Sequence, residues 1–166
     1  MHIKWFKIYK DYFCGFWLPG MMFFLIQELP YAVMPFLSLP ANPLMEMKTA
    51  FPLLEIFEKL FGILTVLLLT FVVNDKVIPS PSKHRCTKLL FLLALFFLVL
   101  YYAGWYFYFN GYQSLSLILI LLVAMPPLYY MSLGLWRKNY PLAVNSFLFL
   151  LFHIVNVLTS LNNTSV

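Results

Sequence analysis

Residues 51–73 read FPLLEIFEKLFGILTVLLLTFVV, an apolar run that carries two glutamates and one lysine. A helix needs about 20 residues to cross roughly 30 Å of hydrocarbon at 1.5 Å per residue, so this run has spanning length. Its charges, Glu55, Glu58 and Lys59, fall in its first half. Four further runs, 12–28, 89–109, 115–136 and 142–161, are similarly long and apolar. They are continuously apolar, whereas membrane-barrel strands alternate apolar and polar residues. The expected fold is therefore an all-α integral membrane protein: a five-helix transmembrane bundle forming one domain over residues 1–166.

Composition excludes the other classes. The 166 residues are 63% hydrophobic and 10% charged, against about 25% charged in an ordinary soluble domain, and a disordered chain requires the opposite balance. Cys14 and Cys86 are too few for a disulfide-built module, form no CxxC motif, and both map to one membrane side, which argues against a thiol oxidoreductase.

The basic residues orient the bundle, because short loops rich in Lys and Arg stay on the cytoplasmic side. Lys4, Lys7 and Lys10 precede the first run; Lys76, Lys83, Arg85 and Lys88 lie between the second and third; Arg137 and Lys138 join the fourth and fifth. With five crossings these nine share one side, against Lys48 alone on the other, which puts the amino terminus inside and the carboxyl terminus outside. The net charge of +5 then belongs to the inner membrane edge, where anionic lipid is the natural partner and nucleic acid is not. In 2–11 the lysines recur every third residue among Ile3, Trp5, Phe6, Ile8 and Tyr9, the pattern of an interfacial amphipathic helix leading into the first span. No small-x-small cleavage site follows that span, so it is expected to be retained. Two carboxyl-terminal patterns, the N-x-[ST] sites at Asn162 and Asn163 and the PDZ-ligand-like Thr164-Ser165-Val166, carry little weight. The sites lie too close to the last helix, and an outside tail is out of reach of a cytoplasmic module.

Two regions break helical regularity. Segment 29–50 holds Pro30, Pro35, Pro40 and Pro43 yet stays largely apolar, which reads as an irregular cap, either re-entrant or interfacial. Pro126-Pro127 should bend the fourth helix.

Ionisable groups inside a bilayer are costly and turn toward protein or water, so they mark the candidate site. On the second helix Glu55, Glu58, Gly62 and Thr65 share a stripe about 80° wide at about 100° per residue; on the fifth, Asn145, His153, Asn156 and Ser160 form another. Glu58 lies about 10 Å below the outer boundary, His153 about 12 Å and Asn156 about 8 Å, so the two stripes meet in depth. If those helices are neighbours, Glu58 can share a proton with His153. The third helix adds Tyr101, Tyr102 and Trp105 to the outer half, faces that suit an organic cation but also fit an interfacial aromatic belt. Glu55 and Lys59, four residues apart, equally suit a plain ion pair, and Asn145 and Asn156 plain interhelical hydrogen bonds.

The candidate ligand-binding set is thus Glu55, Glu58, His153, Asn156, Tyr101, Tyr102 and Trp105. No catalytic or metal residue is assigned and no cofactor is expected: His2 and His84 lie outside the spans, HExxH spacing is missing, and no nucleotide-binding glycine pattern occurs. The expected function is binding of a small amphipathic or cationic molecule or lipid in an outer-half cavity, with a role in transport. The competing expectations are a structural or regulatory subunit, docking on a membrane partner or its own copy through small residues such as Ala103, Gly104, Ser132 and Gly134, and an intramembrane acid–base enzyme acting on a lipid. A compact chain of this kind suits a bacterial plasma membrane, with a eukaryotic internal membrane as the alternative.

Overall fold

The computed structural model describes residues 2–39, 41–74 and 85–164. Pro40, the connection holding Lys76, Lys83 and His84, and the terminal Ser165-Val166 lie outside the described residues. The chain runs β1 (His2–Tyr9), β2 (Tyr12–Trp17), α1 (Leu18–Val33), a 3-10 turn (Met34–Phe36), α2 (Pro43–Glu46), α3 (Pro52–Phe71), β3 (Val72–Asn74), α4 (Arg85–Phe109), α5 (Leu115–Leu117), a π-helical stretch (Ile118–Ala124), α6 (Met125–Trp136) and α7 (Tyr140–Thr164). Among the described residues, three helices are long and apolar enough to cross a membrane: Cys86–Phe109, Leu115–Trp136 and Tyr140–Asn163.

The outward faces are those of a protein dissolved in lipid. Leu53, Ile56, Leu60, Ile63 and Leu67 recur at three- and four-residue steps along α3, and all are exposed; Val144, Phe147, Leu151 and Val155 do the same on α7. Water would penalise such stripes, whereas hydrocarbon does not. The inward faces are the polar ones, with Thr65, Ser132, Asn145, Ser146, Asn156 and Ser160 all buried.

The first expected helix, 12–28, is corrected. Residues 12–17 are strand β2, and the helix begins at Leu18 with Pro19 in its first turn. A continuous apolar run does not by itself distinguish helix from strand, and proline is favoured at a helix start, so Pro19 marks the true boundary. Nor is 2–11 an amphipathic helix: it is the edge strand β1, antiparallel to β2, which pairs in turn with β3. The expectation of a helical bundle holds for most of the described chain, with a small three-stranded sheet added at one end. The three-residue lysine period has its own explanation in the strand. Pairing skips a residue between Lys4 and Phe6 and again between Lys7 and Tyr9. Each skip lets three residues do the work of two, so Lys4 and Lys7 stay on one face while Phe6 and Tyr9 occupy the other. Lys4 accordingly lies over the Phe13 ring, 5.0 Å from its centroid. Gly15 is required opposite β1, since a Cβ there would sit 2.1 Å from the Ile3 carbonyl oxygen.

The remaining boundaries shift modestly. α3 ends at Phe71, α4 starts at Arg85, and α7 covers Tyr140–Thr164. The expected cap 29–50 loses its first residues to α1, which continues through Pro30 to Val33. Pro30 has no N–H for the Ile26 carbonyl, and the Tyr102 hydroxyl of α4 donates to that carbonyl instead at 2.5 Å. Pro126-Pro127 open α6 and are preceded by the π-helical turns rather than a simple kink. Proline stands both four and five residues beyond Leu122, so its carbonyl has no donor in either helical register.

In space the helices form a ring in the order α1, α3, α7, α6, α4, with α4 and α1 touching to close it. One end carries the sheet and the other the cap of residues 34–50. At the sheet end Asn139 joins three elements. Its backbone N–H closes α6 on the Gly134 carbonyl at 2.8 Å, its Oδ1 caps α7 by accepting from Leu142 N at 3.2 Å, and its Nδ2 donates to Leu68 and Val72 carbonyls of the α3–β3 junction at 2.9 and 3.1 Å. Beside it the Arg137 guanidinium lies 4.4 Å from the Trp17 ring centroid, where burial lowers its proton affinity. Asn139→Ala removes the cap and takes one donor from each of the Leu68 and Val72 carbonyls, and should cost about 2–3 kcal/mol. Thermal unfolding in detergent checks this, with Asn162→Ala, on the exposed end of α7, as the neutral control.

A candidate polar cavity inside the helix ring

The α3–α7 seam places the central pair. The two helices run antiparallel in contact, and Asn145 Nδ2 donates to the Phe61 carbonyl and to Thr65 Oγ1, each at 2.8 Å. Two turns nearer the cap, His153 Nδ1 meets Glu58 Oε1 at 2.6 Å, and Asn156 Nδ2 donates to Glu58 Oε2. Near the cap, Ala50 N donates to Ser160 Oγ at 3.3 Å. Both carboxylate oxygens of Glu58 are thus occupied by α7. The imidazole is oriented a second time by Phe149, whose ring stacks on it at 5.0 Å and 20°. Phe149 itself packs against Gly62 of α3, where a Cβ would stand 3.4 Å from the ring, an ordinary contact.

The pair borders a cavity of about 260 Å³ enclosed by the ring. From α1 come Gln27, Glu28 and Tyr31; from α3 Glu58; from α4 Tyr101 and Trp105; from the π stretch and α6 Leu122, Val123, Pro126 and Tyr130; from α7 Phe149, His153 and Val157; and from the cap Leu44 and Met47. The Glu58 and His153 side chains are 18% and 21% exposed, enough to be reached from the cavity. Glu28 lies near enough for its charge to act on His153. Gln27 Oε1 accepts from the Tyr130 hydroxyl, which fixes the amide in the wall. Trp105 is 2% exposed, and its indole N–H lies near the Tyr101 hydroxyl without closing a well-formed hydrogen bond. A buried donor left open this way is uncommon and costly unless something fills it. Tyr31 packs edge-on against Trp105, 6.2 Å between ring centroids, and is itself half exposed, so these rings form the wall between α1 and α4.

Four of the residues singled out in the sequence, Glu58, His153, Tyr101 and Trp105, meet at this cavity. Asn156 stands behind it, holding Glu58. Two do not line it. Glu55 lies at the surface, bonded to Lys59 Nζ at 2.5 Å and to Thr49 Oγ1 at 2.9 Å. Tyr102 faces the outside of the α1–α4 seam and serves the Ile26 carbonyl. Sequence reasoning left out Gln27, Tyr31 and Tyr130, and counted Glu28 among the intramembrane ionisable groups, at the outer end of the first helix, without carrying it into the ligand set. The signal for Gln27 and Glu28 is a polar dipeptide inside an apolar run, hidden when the helix is ended at residue 28. Tyr130 lies four residues beyond Pro126, on the same helix face, and had no charge to mark it.

The lining contains, among the described residues, two carboxyl groups and one imidazole, and no Lys or Arg. Among the described residues, no three His, Cys, Asp or Glu side chains gather closely enough to hold a metal ion. What the arrangement offers is an acidic, aromatic-walled chamber able to hold protons and to receive positive charge. No protein-family model, curated protein or solved structure matches this chain.

Proposed function

We propose that the protein crosses the membrane five times and binds a small organic cation, with an apolar or aromatic body, in the cavity between Glu28, Glu58 and the Trp105 wall. The observation that carries this reading is the charge imbalance of the described lining residues: two carboxyl groups against one imidazole, with no Lys or Arg among them. Coulomb attraction in a poorly screened interior favours a positive guest, and the Tyr31 and Trp105 rings add cation–π attraction of about 1–2 kcal/mol when desolvated. The open Trp105 N–H offers a hydrogen-bond donor to any acceptor the guest carries. A lipid amine or a transported substrate would satisfy the same chemistry.

Five crossings follow if α1 and α3 join the three long apolar helices. α3 has 20 residues, about 30 Å of helix, and its charges point into the ring or sit near its cap end. α1 has 16 residues and is lengthened at its ends by β2 and the 3-10 turn. The described basic residues at the sheet end, Lys4, Lys7, Lys10, Arg137 and Lys138, favour a cytoplasmic sheet end, with Lys4 and Lys7 of β1 toward anionic headgroups.

Isothermal titration of the purified protein with benzyltrimethylammonium should show saturable binding. Glu58→Gln should weaken it at least about tenfold, equivalent to about 1.4 kcal/mol. Glu55→Gln, a change outside the cavity, should leave it unaltered, and equal affinity in wild type and Glu58→Gln would remove the site. Orientation is checked separately: a membrane-impermeant maleimide should reach the exposed Cys86 only from the cytoplasmic side, and labelling of intact cells would reverse the assignment.

A further inference from the structure

The end of the bundle opposite the cavity holds a second arrangement, built around Arg137. This residue directly follows the span Leu115–Trp136 and stands just before Tyr140, where the next span opens. Its side chain therefore starts at the boundary between hydrocarbon and headgroups, the level at which lipid phosphates lie. The turn that carries it is fixed on both sides. Arg137 N donates to the Leu133 carbonyl at 2.9 Å, and the Lys138 carbonyl accepts from Asn74 Nδ2 at 2.9 Å and from the Tyr12 hydroxyl at 3.1 Å. Lys138 takes a φ of 52°, the left-handed conformation that glycine adopts more readily, and it is exposed.

The guanidinium is seated on aromatic rings, 4.4 Å from the Trp17 centroid and 5.7 Å from that of Trp136. Core packing holds this floor: Trp17 is buried against Phe23 and Trp136, and Trp136 packs on Phe91 with 4.7 Å between centroids. Cation–π attraction keeps the charge there but supplies no hydrogen-bond acceptor, and a guanidinium has five N–H donors. Among the described residues, no carboxylate pairs with Arg137 and no acceptor takes a hydrogen bond from its side chain; burial is what lowers its proton affinity. Glu28, Glu46, Glu55 and Glu58 belong to the cavity, to the cap or to the cap end of α3. Asp11, in the turn between β1 and β2, has an interaction of its own, and Asp75 lies outside the described residues. A part-buried cation whose donors stand open is costly until an anion meets them.

We propose that Arg137, on its Trp17–Trp136 seat, binds one phosphate group, supplied by a phospholipid of the leaflet at the sheet end. A guanidinium offers two parallel N–H donors to two phosphate oxygens, a match that a lysine ammonium cannot make. The rings hold this fork before the lipid arrives, so less side-chain freedom is lost on binding. The exposed Lys138 adds a second positive charge beside it. The seat takes one headgroup, unlike the general attraction of the β1 lysines for a charged surface, and it does not depend on what the cavity binds.

The test is native mass spectrometry of the purified protein in mild detergent, titrated with dioleoylphosphatidylglycerol. One lipid should be held more tightly than those that follow it. Arg137→Gln should weaken that first binding at least about tenfold, and Arg137→Lys, which keeps the charge but loses the fork, at least about threefold. Lys10→Gln removes the same charge from the same end and should change it less than about twofold. Equal losses in Arg137→Gln and Lys10→Gln would show diffuse attraction and overturn the site, as would full binding by Arg137→Lys, which also carries the comparison should Arg137→Gln fail to fold. Inorganic phosphate, at the lipid's concentration, should leave the first lipid bound; its displacement would move the site from lipid to dissolved phosphate and overturn the assignment. Asp75→Asn should leave the first binding unaltered, and a gain of about tenfold or more would show that the protein's own carboxylate serves the guanidinium, which also overturns the site.

Discussion

The alignment of α3 with α7 fixes everything else at the site. Hydrocarbon gives two apolar helices little reason to prefer one register, because lipid tails are as apolar as leucine; polar and small side chains must select it. Here they do so at four levels: Asn139 on the Leu68 and Val72 carbonyls, Asn145 on Phe61 and Thr65, His153 and Asn156 on Glu58, and Ser160 under Ala50. A slip of one turn, about 5.4 Å, would break every level together and strand Glu58 among apolar neighbours. The pair at the centre of the cavity is therefore both a chemical group and a part of the device that sets the helices.

The opposite wall is built from broken helix. Pro30 and Pro126-Pro127 each deprive earlier carbonyls of their donors, and the chain answers in two ways. At Ile26 a tyrosine from the neighbouring helix supplies the missing hydrogen bond, which ties α1 to α4. Before Pro126 the helix widens into π turns, and Leu122, Val123 and Pro126 become wall residues of the cavity. The same π stretch is closely packed on its α4 side, where Gly104 has Leu121 Cβ 2.6 Å from where its own Cβ would be; at the sheet end Gly134 has Ala143 N at 2.8 Å.

Much of this was legible in the sequence, for a geometric reason. Helical rise is constant, so Glu58 and His153 counted from opposite ends of antiparallel helices arrive at one depth, and the 100° step put each on its helix's polar stripe. Their adjacency was an assumption there and is an observed contact here. Glu55 and Glu58 differ by one short step around the same helix, yet the structure separates them, since Lys59 and Thr49 hold Glu55 at the surface. The amino-terminal region resisted reading because aromatic-rich, apolar residues satisfy strand and helix equally, and because a lysine every third residue fits both an amphipathic helix and a twice-bulged strand. With the first boundary misplaced, Gln27 and Glu28 fell at a helix end instead of inside a wall.

The small sheet has a mechanical meaning. β2 runs directly into α1, β3 continues directly from α3, and the two strands pair through Tyr12–Asn74, Phe13–Val73 and Cys14–Val72. The two helices are thus bolted together at one end like the arms of tweezers, while their far ends are linked by a length of chain broken by prolines. Sliding of one arm past the other would have to break that ladder, so the register of α1 against α3 is held at the end opposite the cap.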